Sequence, residues 1–206
     1  MSDKYEVIST PKKGTVYDIS IWDSIDKYED YDKLLETLQK ITADDELLLV
    51  VSTPGGRCDI GYMLIDRLLA VPVKIDVIVP YPTYSMGAIM ALCGASLDIL
   101  PGAFLMFHDY STGNRSTKGN EIYKSTEAYK EVFAYRFNKL CQPFLSPQEC
   151  EDVLDGKDLY IKWNDKSLPA RIKRHFSRSE KVEPTKIDCR PDMLKTAKKL
   201  LRGKNK

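Results

Sequence analysis

The sequence predicts an α/β fold built on a mainly parallel sheet, and three observations carry that prediction. Short apolar runs alternate with stretches of helical periodicity along most of the chain. One of these runs, Glu46–Val51 (ELLLVV), is almost continuously apolar, as strands buried in parallel sheets are. The chain has 206 residues, 43% of them hydrophobic and 30% charged, which suits one domain with a sizeable core.

The elements follow in order. Residues 1–14 are polar, with Pro11 and Gly14, and read as an irregular lead-in. Val16–Trp22 alternates at period two, a strand signal. Tyr31–Ile41 puts Leu34, Leu35, Leu38 and Ile41 on one helical face. The strand Glu46–Val51 stops at Pro54-Gly-Gly. Asp59–Leu69 reads as a helix, Val73–Val79 as a strand, Met86–Ala95 as a helix rich in small residues, and Ala103–Phe107 as a further strand. A long helix is expected from Asn120 to Leu140, with Ile122, Ala128, Tyr129, Val132, Phe133, Phe137 and Leu140 as its apolar stripe. Gln142-Pro143 closes it. Ser146-Pro-Gln-Glu has the form of an N-cap, with Pro at the first helical position and Glu three residues after the cap. Pro191–Arg202 reads as a last amphipathic helix.

Charge divides the chain in two. From Lys166 onward there are 14 Lys and Arg against 4 Asp and Glu, whereas residues 1–165 hold 17 basic and 26 acidic residues. The organisation expected is a lead-in (1–14), a main domain (15–165) and a basic extension (166–206). A run of Lys and Arg on an amphipathic helix is most simply a solvated face. The sharper reading is that Leu194, Ala197 and Leu201 dock while the cations meet an acidic neighbouring subunit. Nucleic acid is disfavoured as a partner, since Phe176 is the one aromatic residue in the last forty and base stacking needs more.

Apolar runs such as Ile89–Cys93 fall far short of the roughly 20 residues that span a bilayer, so no membrane association is expected. The first residues lack the layout of a secretory signal. Five cysteines, odd in number and without CxxC spacing, argue against a disulfide framework or zinc ribbon and for a reducing, cytoplasmic setting. No metal or cofactor is called for.

Three segments could carry chemistry: Ser52-Thr-Pro-Gly-Gly-Arg57 after a strand, Ser85 at the start of a helix, and His108 after a strand. A serine at a loop–helix junction has unpaired N–H groups beside it that can face an oxyanion. Histidine is the usual base for such a serine, and only His108 and His175 are present. The ordinary readings are an N-cap for Ser85, a plain turn for Pro54-Gly-Gly and a structural ring for His108. His175, within Arg171-Ile-Lys-Arg-His-Phe, reads as part of a solvated basic face.

In order and context, these segments resemble the proteolytic subunit of the Clp protease family (ClpP). The family pattern runs (N)SPGG, then the nucleophile in (A)SMGA, then histidine at the end of a strand in M(I)H. Here the corresponding segments are Ser52-Thr-Pro-Gly-Gly, Tyr84-Ser-Met-Gly-Ala and Phe104-Leu-Met-Phe-His. The segments Leu145-Ser-Pro-Gln-Glu and Gly156-Lys-Asp are most similar to phage- and prophage-encoded members.

The resemblance implies a ClpP/crotonase-like spiral of ββα units with a long handle helix at 120–140. It implies Ser85 as nucleophile, His108 as base and then acid, and Asp158 as the residue that orients the imidazole, with Asp155 three residues away as the other choice. Backbone N–H groups of Gly56 and Met86 would form the oxyanion hole. The activity implied is serine endopeptidase cleavage of unfolded or partner-delivered polypeptides in a homo-oligomeric ring, a heptamer or stacked rings, with an ATP-dependent unfoldase as a partner.

Other readings stand beside it. One is a catalytically silent ring subunit or scaffold, and another is a phage head-maturation type of protease working without an unfoldase. An acyl-CoA-processing crotonase needs no Ser-His pair, and a Ser-Lys protease would leave His108 without a role.

Overall fold

The computed structural model describes residues 5–11, 14–111 and 119–177. A five-stranded sheet in the order β1-β2-β3-β4-β6 forms one layer: β1 (Tyr5–Pro11), β2 (Thr15–Ile21), β3 (Glu46–Val51), β4 (Ile75–Val79) and β6 (Ser96–Ile99). Strands β2, β3, β4 and β6 are mutually parallel. A second sheet of three strands, in the order β5-β7-β8, contains β5 (Thr83–Tyr84), β7 (Phe104–Phe107) and β8 (Leu159–Lys162). The helices between them are α1 (Asp32–Leu38), α2 (Cys58–Leu68), α3 (Met86–Met90), α4 (Gly119–Cys141), α5 (Pro147–Leu154) and α6 (Leu168–Phe176). This is the α/β architecture expected.

The reason for each element is local. In β3, Leu47, Leu49 and Val51 are buried while Leu48 and Val50 are half-buried, so the run is covered more fully on one face than on the other. Helix α2 turns Ile60, Leu64, Ile65 and Leu68 into the core. Ser146 caps α5 as its spacing foretold: its Oγ accepts from Glu149 N–H at 3.2 Å, and the Glu149 carboxylate accepts from Ser146 N–H at 2.8 Å.

Several expectations need correction. The lead-in is not irregular, because Tyr5–Pro11 pairs antiparallel with Thr15–Ile21 as β1. The helix at Met86 is α-helical only to Met90 and continues as a single 3-10 turn, Ala91–Cys93. Strands β6 and β8 were not foreseen. Each is only four residues long, too short to establish a period. His175 is not on a solvated face: it is half-buried, its Nε2 lies 2.8 Å from Leu92 O, and its ring meets Phe144 and Phe176 edge-on. The expected helix Pro191–Arg202 lies outside the described residues.

Arg171 shows why the start of the basic segment packs on the body. Its guanidinium forms a bidentate pair with Glu149 (2.8 and 2.6 Å) and also donates to Phe144 O at 3.1 Å. These donors, with the capping bond, hold the Glu149 carboxyl down at about 2. A depressed folded-state pKa adds stability that is fully present above the unfolded value of about 4.3 and is lost as pH falls towards 2. Partial exposure limits the contribution to about 1–2 kcal/mol. Glu149→Gln should therefore melt about 3–6 °C lower at pH 7 in a calorimetric scan. The gap from wild type should close as the pH is lowered through 4 towards 2.

Candidate active site

The site is assembled where β3 and the three strands of the small sheet end or begin. Leaving β3, the chain turns through Thr53-Pro-Gly-Gly. Gly55 and Gly56 take φ of +88° and +146°, conformations that a Cβ disfavours. This loop is clamped to the segment after β2: Ile25 N–H donates to Gly55 O (2.8 Å) and Arg57 N–H donates to Ile25 O (2.7 Å). Those two bonds use the groups on either side of Gly56 in a parallel bridge. The N–H of Gly56 itself therefore points away from Ile25.

Ser85 joins β5 to α3. Its φ of 55° and ψ of −124° make it the single non-glycine residue at positive φ among the described residues. A strained strand–helix turn of this kind raises a side chain out of the sheet, and strain of roughly 1–3 kcal/mol persists only where the surroundings enforce it. The enforcement is visible. Ser85 N–H donates to Met106 O at 2.8 Å and Tyr84 N–H donates to Thr53 O at 2.9 Å, while a Cβ on Gly55 would stand only 2.7 Å from the Cβ of Ser85. Directly after it, the Met86 N–H opens α3.

The registers bring His108 and Asp158 to the same corner. Strands β5 and β7 pair in parallel through Tyr84↔Met106, which sets Ser85 beside the end of β7. Strands β7 and β8 pair antiparallel, and their last pair is Phe107↔Leu159. His108 directly follows the last residue of β7 in that pairing, and Asp158 directly precedes the first residue of β8. Asp155, by contrast, is the exposed C-cap of α5, its N–H bonded to Glu151 O. Ser85 and His108 are half-exposed and Asp158 is exposed. Among the described residues no hydrogen bond links the three side chains, as is common for such groups before substrate arrives.

The flanking residues are occupied elsewhere. Arg57 forks onto Asp59 (3.1 and 2.6 Å) and lies 5.6 Å from the Tyr28 ring centroid, so it is turned away from the loop. The guanidinium, with the Tyr28 hydroxyl, pulls the Asp59 carboxyl down to about 2. Cys58, just past Gly56, has its thiol pushed up chiefly by burial, and Cys93 and Cys150 are pushed up to about 12 and about 11 by burial as well. None of these is an activated thiolate. A cavity of about 520 Å³ lies apart from this corner, between α2 and α4, lined by residues including Tyr62, Met63, Tyr129 and Phe133.

A family model for Clp protease matches residues 17–136. The chain belongs to the Clp protease family. That membership carries the ClpP-like fold and a peptidase of this type. The matched span includes the Pro-Gly-Gly loop, Ser85 and His108 and stops before β8. No curated protein matches the chain.

The sequence drew attention to Ser85, His108 and Gly56 through motif and order. It could not supply the antiparallel pairing of β7 with β8, which begins at Leu159 beside Asp158 and ends at Phe107 beside His108, nor the close approach of Gly55 to Ser85. Both depend on strands brought together from distant parts of the chain.

Proposed function

We propose that this chain is a serine-type endopeptidase acting on polypeptides through Ser85, His108 and Asp158. The observation that carries the reading is the Ser85 turn: a non-glycine residue held at positive φ between strand and helix, tied by its backbone to the strand that leads to His108. In the reaction His108 takes the Ser85 proton as Oγ attacks the scissile carbonyl carbon. The resulting oxyanion is met by the N–H groups of Gly56 and Met86. Collapse breaks the C–N bond, and the imidazolium passes its proton to the departing amine. Water, activated by the same imidazole, then releases the acyl group. Asp158 keeps the ring in the productive tautomer and offsets the imidazolium charge.

The working form proposed is a homo-oligomeric ring in a cytoplasmic setting. Residues Lys124–Val132 of α4 are all exposed in the single chain, including Tyr129 and Val132, and Tyr135 is 68% exposed. The large apolar side chains Tyr129, Val132 and Tyr135, set among charged residues on this helix, are suited to cover by another subunit. An ATP-dependent unfoldase would deliver folded substrates to such a ring. Among the described residues no helix is long and apolar enough to cross a membrane.

Labelling the purified protein with a fluorophosphonate, alongside Ser85→Ala and His108→Ala, tests the chemistry. Wild type should label and both variants should not. A wild-type oligomer that stays unlabelled from pH 6 to 9 would instead be a silent ring subunit.

A further inference from the structure

The buried Thr53 sits where four parts of the site meet. It is 1% exposed and fully engaged: Oγ1 donates to Asp23 O at 2.7 Å and accepts from Gly55 N–H at 3.0 Å. A hydroxyl has one proton to give, and this one is committed to Asp23, so the acceptor side is free for Gly55. The backbone of the same residue accepts from Tyr84 N–H at 2.9 Å, one residue before Ser85. Its methyl group faces Gly87 of α3, where a Cβ would collide with it. Thr53 therefore touches the segment after β2, the glycine loop, the strand that ends in Ser85 and the helix that begins after it.

We infer that Thr53 is a positioning residue: its hydroxyl fixes the Pro54–Gly55 peptide, and so the Gly55 backbone angles that aim the following Gly56 N–H at the place beside Ser85 where an oxyanion forms. The inference rests on the serine-peptidase reading given above. The physical case is that a glycine pair has no side chain to hold its own conformation, so its orientation is set by what its backbone groups bond to. Ile25 holds the Gly55–Gly56 peptide at Gly55 O and the next peptide at Arg57 N–H; the Pro54–Gly55 peptide before them is held, among the described residues, by the Thr53 hydroxyl at Gly55 N–H. Without that bond the Pro54–Gly55 peptide can turn, the Gly55 angles follow, and the Gly55–Gly56 plane can tilt about its single hydrogen bond to Ile25. A donor displaced by a few tenths of an ångström serves a transition state poorly, yet it changes ground-state binding little, because the oxyanion exists only after attack.

The test compares full-length Thr53→Ser with Thr53→Ala, which both lack the methyl group and differ only in the hydroxyl, and adds Thr53→Val, which keeps the shape and lacks the hydroxyl. Each is assayed per active site, titrated with a fluorophosphonate, for kcat and KM on a fluorogenic peptide and for inhibition by a peptide boronate, which becomes tetrahedral on Ser85. In Thr53→Ala and Thr53→Val, kcat should fall about 10–100-fold and boronate affinity should fall in parallel, with KM within about threefold of wild type. Thr53→Ser should stay within about threefold on every measure. If Thr53→Val does not fold, the Ser and Ala pair still decides. Equal activity of Ser and Ala, or a loss confined to KM or to melting temperature, would overturn the inference. A wild type that binds neither fluorophosphonate nor boronate at Ser85 would instead remove the peptidase reading and the inference with it.

Discussion

Asp158→Asn should lower kcat/KM by about 10⁴-fold with the fold intact, while Asp155→Asn should stay within about twofold of wild type. The argument is one of register. The pairing of β7 with β8 ends at Phe107↔Leu159, and continuing that register by one residue would set His108 opposite Asp158. An asparagine there keeps the shape but presents an amide that favours the wrong imidazole tautomer, and such a replacement in a Ser-His-Asp arrangement costs about four orders of magnitude. Asp155 closes α5 and is exposed, with no place in that pairing. Steady-state kinetics on a fluorogenic peptide, with circular dichroism to verify the fold, make the comparison. Severe loss from Asp155→Asn, or less than a tenfold loss from Asp158→Asn, would assign the acid elsewhere.

Gly55→Ala should damage both stability and catalysis. The added methyl carbon would lie 2.7 Å from the Cβ of Ser85, 2.8 Å from Tyr84 O and 3.0 Å from Met86 N, at a φ of +88°. Two of these neighbours are backbone atoms and the third is fixed by the Ser85 turn, so none can rotate aside. The left-handed conformation costs an alanine about 1–2 kcal/mol, and crowding adds to it, for about 2–4 kcal/mol in all. Melting should drop by roughly 5–15 °C. Relief comes only by moving the loop away from Ser85, which withdraws the Gly56 donor and should reduce kcat by about 10²–10³-fold. A variant that melts lower but turns over normally would show that the loop yields without losing its donor.

The sequence made some of this legible because the signals were local. The ELLLVV run marked β3 to the residue, and the Ser146 capping box marked the start of α5. The order of Pro54-Gly-Gly, Ser85 and His108 indicated the family. What stayed hidden depended on partners far along the chain. Tyr5–Pro11 is an exception in pairing with its near neighbour β2, but its short mixed run ending in Pro11 carries no clear strand period of its own. Arg171 and His175 sit in a stretch that reads as solvated, yet Glu149 and Leu92, 22 and 83 residues away, draw them onto the body. Nothing local to Thr53 signals that its hydroxyl lies between Asp23 O and Gly55 N–H, since Asp23 is 30 residues away.

The pairing of β7 with β8 also limits how the gene can change. Strand side chains alternate faces, so one codon inserted or lost between α5 and β8 would offer Lys157 or Leu159, not Asp158, to His108, or turn the core-facing Ile161 outward. Only Gly156 and Lys157 separate the Asp155 cap from Asp158, leaving no slack to absorb the shift. Substitutions on the exposed side of β8 should be tolerated in a deep mutational scan, whereas single-residue insertions or deletions at 155–158 should be depleted as strongly as changes to Ser85.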